Sequence, residues 1–312
     1  MNLMLHRLIA CTCVASALLC AAPASADERQ GDNYTVEMVV LEQPPFSYYA
    51  APAVVRGGAG GITLELLEQH TNSIDDASGW FQQHGLELGS SLLVPPEVAG
   101  AIDGHELIMA IPAEEYLTLI YADQQGRGRY LFLWSMQSRR YSHGFDFGAF
   151  MQAPGGAADD DSVTQAIDWA LVEGGTLYVA HSHRDFAVSS GGKNGYISAI
   201  DLRSRRLLWR SAPLVSNAAN FVIIGGTIIS GYGFSAEPDY LYLLDAASGE
   251  QLRRIRLRSH PQYIVSKADR LHVRSYDSDY LFRVVQPSAE QRPRRLEPPL
   301  EQRTPAADSP AD

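Results

Sequence analysis

The residues with the sharpest chemistry are His181-Ser182-His183-Arg184-Asp185. If the apolar strand 177–179 continues through them, the period of two puts His181, His183 and Asp185 on one face. Two imidazoles and a carboxylate so placed could hold zinc or a similar ion. The run supplies no evident fourth ligand, and it equally fits a polar strand end whose histidines bond to backbone. A second candidate is the run Gly231-Tyr232-Gly233-Phe234-Ser235-Ala236-Glu237-Pro238-Asp239-Tyr240. Here Tyr232, Phe234, Glu237 and Tyr240 are expected in a loop between two strands, where a ligand or partner could dock. The competing reading is a bulge with its aromatics tucked against the neighbouring sheet.

Other chemistries find no support. The run Ser189-Ser190-Gly191-Gly192-Lys193-Asn194-Gly195 has the composition of a phosphate loop but not its spacing, and reads as a flexible hairpin loop. No Gly-x-Ser-x-Gly occurs, so there is no nucleophile elbow. Glu114-Glu115 and Asp159-Asp160-Asp161 read as solvated surface, and the aspartate run lacks the ligand spacing of a calcium loop. Arg203, Arg205, Arg206 and Arg210 are expected to decorate exposed hairpin positions rather than to bind an anion. The three cysteines, Cys11, Cys13 and Cys20, all lie within the first 26 residues, so the remainder carries neither thiol nor disulfide.

The elements that must position these groups come from a repeat. Tyr196-Ile197-Ser198-Ala199-Ile200-Asp201 matches Tyr240-Leu241-Tyr242-Leu243-Leu244-Asp245, with an offset of about 44 residues, in the range of propeller blades. Each copy reads as a strand, a turn opened by Asp and a second strand. The upstream halves match as well, Gly174-Gly175-Thr176-Leu177 against Gly225-Gly226-Thr227-Ile228. A partial copy runs through Asp269-Arg270-Leu271 and Asp279-Tyr280-Leu281, and a fainter one through 130–140. Gly and Asp mark the turns, while Ile, Val, Leu and Tyr fill the strands. A unit of this kind cannot bury its apolar face alone and must stack on its neighbours.

This pattern resembles the quinoprotein-like (PQQ-like) β-propeller repeat over about 165–286. Gly195, Ala199, Asp201, Ser204 and Trp209 fit the repeat, with Arg205 where Gly is usual. In the next copy Asp245, Ser248 and Gly249 fit, with Arg253 at the Trp position. The resemblance implies a propeller scaffold and places Trp209 between adjacent blades. It does not carry the quinone chemistry. The enzymes of that family are longer, and many hold an adjacent cysteine pair near the quinone, which this chain lacks. No cofactor is expected.

The amino terminus reads as an export signal. His6 and Arg7 precede an apolar stretch, 8–19, and Ala24-Ser25-Ala26 offers a small-x-small cleavage site. The expected mature chain begins at Asp27, and Leu18 and Leu19 before Cys20 argue against a lipid anchor. About 285 residues suffice to bury a core without staples. The formal net charge of −11 disfavours nucleic acid, and no later segment is long and apolar enough to span a membrane. Residues 27–128 are expected to form a small amino-terminal α+β domain, with a strand over 34–41, two strands within 91–111 separated by a turn at Asp103-Gly104, a short helix over 76–84, and 62–70 ambiguous between helix and strand. Val36–Glu42 and the stretch 92–108 faintly resemble the core module of secretins. Residues 287–312 hold six prolines and few large apolar groups and are expected to form a disordered tail.

The expected fold is therefore mainly β: a short or incomplete quinoprotein-like propeller over 129–286 behind the small domain. The expected function is that of an exported, non-enzymatic scaffold, periplasmic or secreted, binding an envelope protein or a small ligand. The alternative is a metal-binding module or enzyme built on His181, His183 and Asp185. Too few blades for a closed ring predict either recruitment of amino-terminal strands or a homo-oligomer.

Overall fold

The computed structural model describes residues 36–42, 61–72, 94–151 and 163–286. The signal segment expected at 1–26, the helix expected at 76–84, the aspartates 159–161 and the tail expected at 287–312 lie outside them. Within the described residues the chain is mainly β, and no helix is long and apolar enough to cross a membrane.

The strands form four successive antiparallel meanders. The first contains β4 (His105–Ala113), β5 (Tyr116–Ala122), β6 (Gly128–Ser135) and β7 (Arg140–Asp146), flanked by β3 (Ala101–Ile102) and by β1 (Met38–Val40), which runs parallel to β7. The second is β8 (Ala166–Glu173), β9 (Thr176–Ser182), β10 (Tyr196–Asp201) and β11 (Arg206–Arg210). A single bridge, Gly128 to Ile167, links it to the first. The third is β12 (Val222–Ile224), β13 (Thr227–Phe234), β14 (Glu237–Asp245) and β15 (Gln251–Arg256). The fourth is β16 (Pro261–Lys267), β17 (Arg270–Ser275), β18 (Ser278–Val285) and, from far upstream, β2 (Thr63–Thr71). The ambiguous segment 62–70 is thus a strand, and the long partner β18 fixes it as one.

The repeat maps onto these meanders in register. Every copy of the "Tyr-φ" segment, φ being apolar, is the third strand of its sheet: β6, β10, β14 and β18. Every upstream copy is the second strand. The Asp-turns close as their chemistry requires. Asp201 Oδ1 accepts the Ser204 N–H at 2.6 Å, and Asp245 Oδ1 accepts from the N–H groups of Ala247 and Ser248 at 2.9 and 2.8 Å. A left-handed residue lies in the turn before the returning strand of the second and third sheets. Gly249 takes φ 74° without penalty, while Arg205, standing where glycine is usual, is held at φ 56°.

The meanders stack face to face. Ile120, Leu131 and Phe145 of the first meet Val172, Val179 and Ile200 of the second. Tyr178, Ala199 and Trp209 of the second meet Ile228, Tyr242 and Leu244 of the third. Leu241 and Leu243 of the third meet Ile264, Leu271 and Phe282 of the fourth, with Ile62 and Leu64 from the upstream strand. Stacked four-stranded meanders of this kind are the units of a propeller-like fold. None of the apolar clusters among the described residues joins the fourth meander to the first. The far face of the first is covered by Val94, Val98, Ala99 and Ile102 together with Val36 and Met38.

Trp209 occupies the position the repeat assigns it. It is 4% exposed, lies 6.0 Å from the Tyr178 ring centroid, and presses on Gly249 so closely that a Cβ there would collide with the indole. The register of adjacent sheets is therefore fixed by an aromatic from one and a glycine from the next.

Several expectations are revised. The strand expected from residue 91 shrinks to β3, because Pro95 and Pro96 cannot donate to a ladder and 94–99 forms turns instead. Residue 128, the expected boundary, is the first residue of β6, which pairs with β5 within one sheet. The secretin resemblance gains no support. Both of its pieces lie on the first meander, with β1 at the β7 edge and 94–107 on the outer face.

Candidate functional site

The two runs nominated for chemistry lie about 50 residues apart in sequence, yet they meet at one end of the second and third sheets. The loop after β9 carries His183, Arg184 and Asp185, and then a 3-10 turn, Ala187–Ser190. The hairpin joining β13 to β14 carries Phe234 and Glu237. Phe186 packs edge-on against Phe234 with ring centroids 4.6 Å apart. Glu237 bridges the two: Oε1 accepts the Ala187 N–H at 2.6 Å and Oε2 accepts the Tyr232 hydroxyl at 2.7 Å. Burial, and then the Glu237 carboxylate, push the Tyr232 phenol above its ordinary range.

This changes the reading of the second candidate. Tyr232, Phe234, Glu237 and Tyr240 are not loop residues, because β13 runs through Phe234 and β14 begins at Glu237. An irregularity between Tyr232 and Phe234 lets the ladder continue past Gly233. Tyr232 is 2% exposed, and Glu237 is spent on one hydrogen bond to the loop of the second sheet and one within its own sheet. Tyr240 pairs with Tyr232 across the ladder, with the guanidinium groups of Arg254 and Arg256 over its ring at 4.6 and 5.2 Å.

The histidine run is dispersed in the same way. His181 is buried and its Nε2 pairs with the Ser198 hydroxyl at 2.9 Å. Desolvation, and then the charge of Arg210, hold its imidazole neutral, with a pKa lowered to about 3. Phe150 stacks on it at 5.2 Å. His183 is also buried, its Nε2 against the Ser190 hydroxyl at 2.8 Å and its Nδ1 accepting the Asp185 N–H at 3.3 Å. Asp185 Oδ1 accepts the Phe186 N–H at 2.7 Å. The three side chains thus turn to separate partners. Among the described residues no three His, Cys, Asp or Glu side chains are grouped to hold a metal.

What these groups build is a rigid loop. Asn194 ties its two ends together. Its Oδ1 accepts the His183 N–H at 2.8 Å and its Nδ2 donates to the His183 carbonyl at 3.2 Å. Gly191 and Gly192, at φ 62° and 80°, turn the chain back toward β10. The hairpin loop expected to be flexible is therefore pinned on three sides. It holds Val188 out into solvent, 81% exposed.

Asp168, on β8, was not nominated from the sequence. It stands at the irregularity between Ile167 and Trp169, where the ladder to β9 skips a residue. Its Oδ2 accepts the Ser182 hydroxyl at 2.6 Å. Desolvation outweighs that bond and the nearby charge of Arg184, so its carboxyl is pushed up to about 7. The available signal was an acid inside the apolar run Ala166-Ile167-Asp168-Trp169-Ala170.

No protein-family model matches the chain, and no curated protein matches it. Among solved structures, the chain is similar to BamB from Moraxella catarrhalis, with 12% identity over 57% of this chain and 44% of that one, at a TM-score of 0.38. It is similar to Saccharomyces cerevisiae Sqt1 with 10% identity over 58% and 46%, at 0.41. It is similar to the computationally designed Ika4 protein with 10% identity over 59% and 95%, at 0.35. The chain spans less than half the length of BamB and of Sqt1.

Proposed function

We propose that this protein is an exported, non-enzymatic scaffold of propeller type, whose loop end over the second and third sheets binds a partner protein. The observation that carries this reading is Val188. A large apolar side chain is held in solvent on a short turn fixed by Glu237, Asn194 and two left-handed glycines. Presenting an apolar anchor on a pre-ordered backbone lowers the ordering cost of association. The candidate polar groups support the same reading, since Glu237 and His183 are committed to holding the loop.

Export rests on the basic, apolar and small-residue order of 1–26. Sequencing of the processed protein should find Asp27 at its start; a lipidated Cys20 would move it to a membrane surface instead. The binding reading is tested by Val188→Asp. A partner retained by the wild-type protein from envelope extract should be lost, with the far-ultraviolet dichroism unchanged. Equal retention by both proteins would place the interface elsewhere.

A further inference from the structure

We propose that β15, the outer strand of the third sheet, takes up an extended acidic segment of a partner protein as an added strand. The inference rests on the scaffold reading above and names a second surface and the chemistry of what it binds. Among the described residues β15 pairs only with β14, so one row of its N–H and C=O groups faces away from that ladder. The strand reads Gln251-Leu252-Arg253-Arg254-Ile255-Arg256. Its three arginines are exposed, and none lies within ion-pair distance of a carboxylate among the described residues. In a chain of net charge −11 this is a positive strip, with Asp239 close enough to Arg256 to feel its charge.

The arginines are also ordered. Arg254 and Arg256 face the same side, opposite Tyr242 and Tyr240 of β14, and both guanidiniums lie over the Tyr240 ring. Their backbone positions stand two residues of rise apart along the strand, about 6.6–6.8 Å. An extended chain paired to β15 brings its own alternate side chains past them at the same spacing. Carboxylates at every second position would meet the two guanidiniums, while the main chain fills the open ladder. The competing account is that the arginines only guard the edge against self-pairing.

The test uses the full chain and a peptide of about ten residues alternating glutamate and threonine, a common strand length. Anisotropy titration at low salt should show saturable binding. The paired substitution Arg254→Gln and Arg256→Gln should weaken it about tenfold, and N-methylation of alternate peptide residues should weaken it further. If the paired variant does not fold, Arg256→Gln alone carries the test with a smaller effect. A peptide of the same composition with its glutamates in one block should bind more weakly. Equal binding of block and alternating peptides, or no effect of N-methylation, would reduce the surface to unspecific attraction and overturn the proposal. Absence of binding, with self-association of the arginine variant by light scattering, would assign the arginines to guarding the edge and also overturn it. Neither result touches the Val188 test, and loss of the Val188 interface would leave this titration unchanged.

Discussion

At the scale of single residues, two buried titratable groups pull the pH dependence in opposite directions. Asp168 has its carboxyl raised to about 7 from an ordinary value near 3.8. The folded state therefore binds the extra proton between those values, and stability from this group is full below about pH 4 and lost as pH rises through 7. His181 is the reverse. Its folded value of about 3 lies below the ordinary 6.5, so its contribution is full above pH 6.5 and is lost as pH falls toward 3. Asp168→Asn should remove only the first. Urea denaturation at pH 5 and pH 8 should show the variant gaining on the wild-type protein by up to a few kcal/mol at the higher pH. A constant difference would mean that Asp168 ionises normally in the fold. Trp209 and Gly249 form the other decisive pair at this scale. Trp209→Ala should cost about 3–5 kcal/mol by opening a cavity between two sheets. Gly249→Ala should cost roughly 1–3 kcal/mol or more, since it both strains a left-handed turn and pushes a methyl into the indole.

At the scale of elements, the unit of the fold was readable and its neighbourhoods were not. The period of two, the Gly-Gly turns and the Asp-turns place the second and third strands of each sheet, because these signals are local to a hairpin. Even the faint copy at 130–140 proves to be the third strand of a real sheet. The role of Glu237 was hidden for the opposite reason. Its partner, the Ala187 N–H, belongs to another repeat, and nothing in either local pattern says which loops of adjacent sheets will touch. Asp168 was hidden because its environment depends on a bulge, and an inserted residue leaves no mark in an apolar strand. β2 was ambiguous because its strand partner β18 is about 200 residues away. The inter-sheet lock makes a direct prediction. Glu237→Ala should lower stability by about 1–3 kcal/mol, and hydrogen exchange should speed up across 186–192 while β9 and β10 stay protected. Uniform exchange across all three segments would show that Glu237 does not hold the loop.

At the scale of the whole molecule, the account describes one cooperative stack of sheets serving as a rigid mount. The fourth sheet borrows β2 from the stretch between β1 and β3 of the first, and its Leu64 enters the core between the third and fourth sheets. Deleting residues before 73 should therefore bare the β18 edge and expose that core. Light scattering should show association or aggregation of the shortened chain; a shortened chain that stays monomeric and equally stable would show that β2 is dispensable. The mount matters because the binding reading depends on Val188 being presented from a fixed position. The most direct measurement is site-specific photo-crosslinking in cells, with the photoreactive residue placed at 188 or, as a control, at exposed Asp269 in the turn at the opposite end of the sheets. The account predicts a discrete protein adduct from position 188 and none from position 269; no adduct from 188, or the same adduct from both, would contradict it.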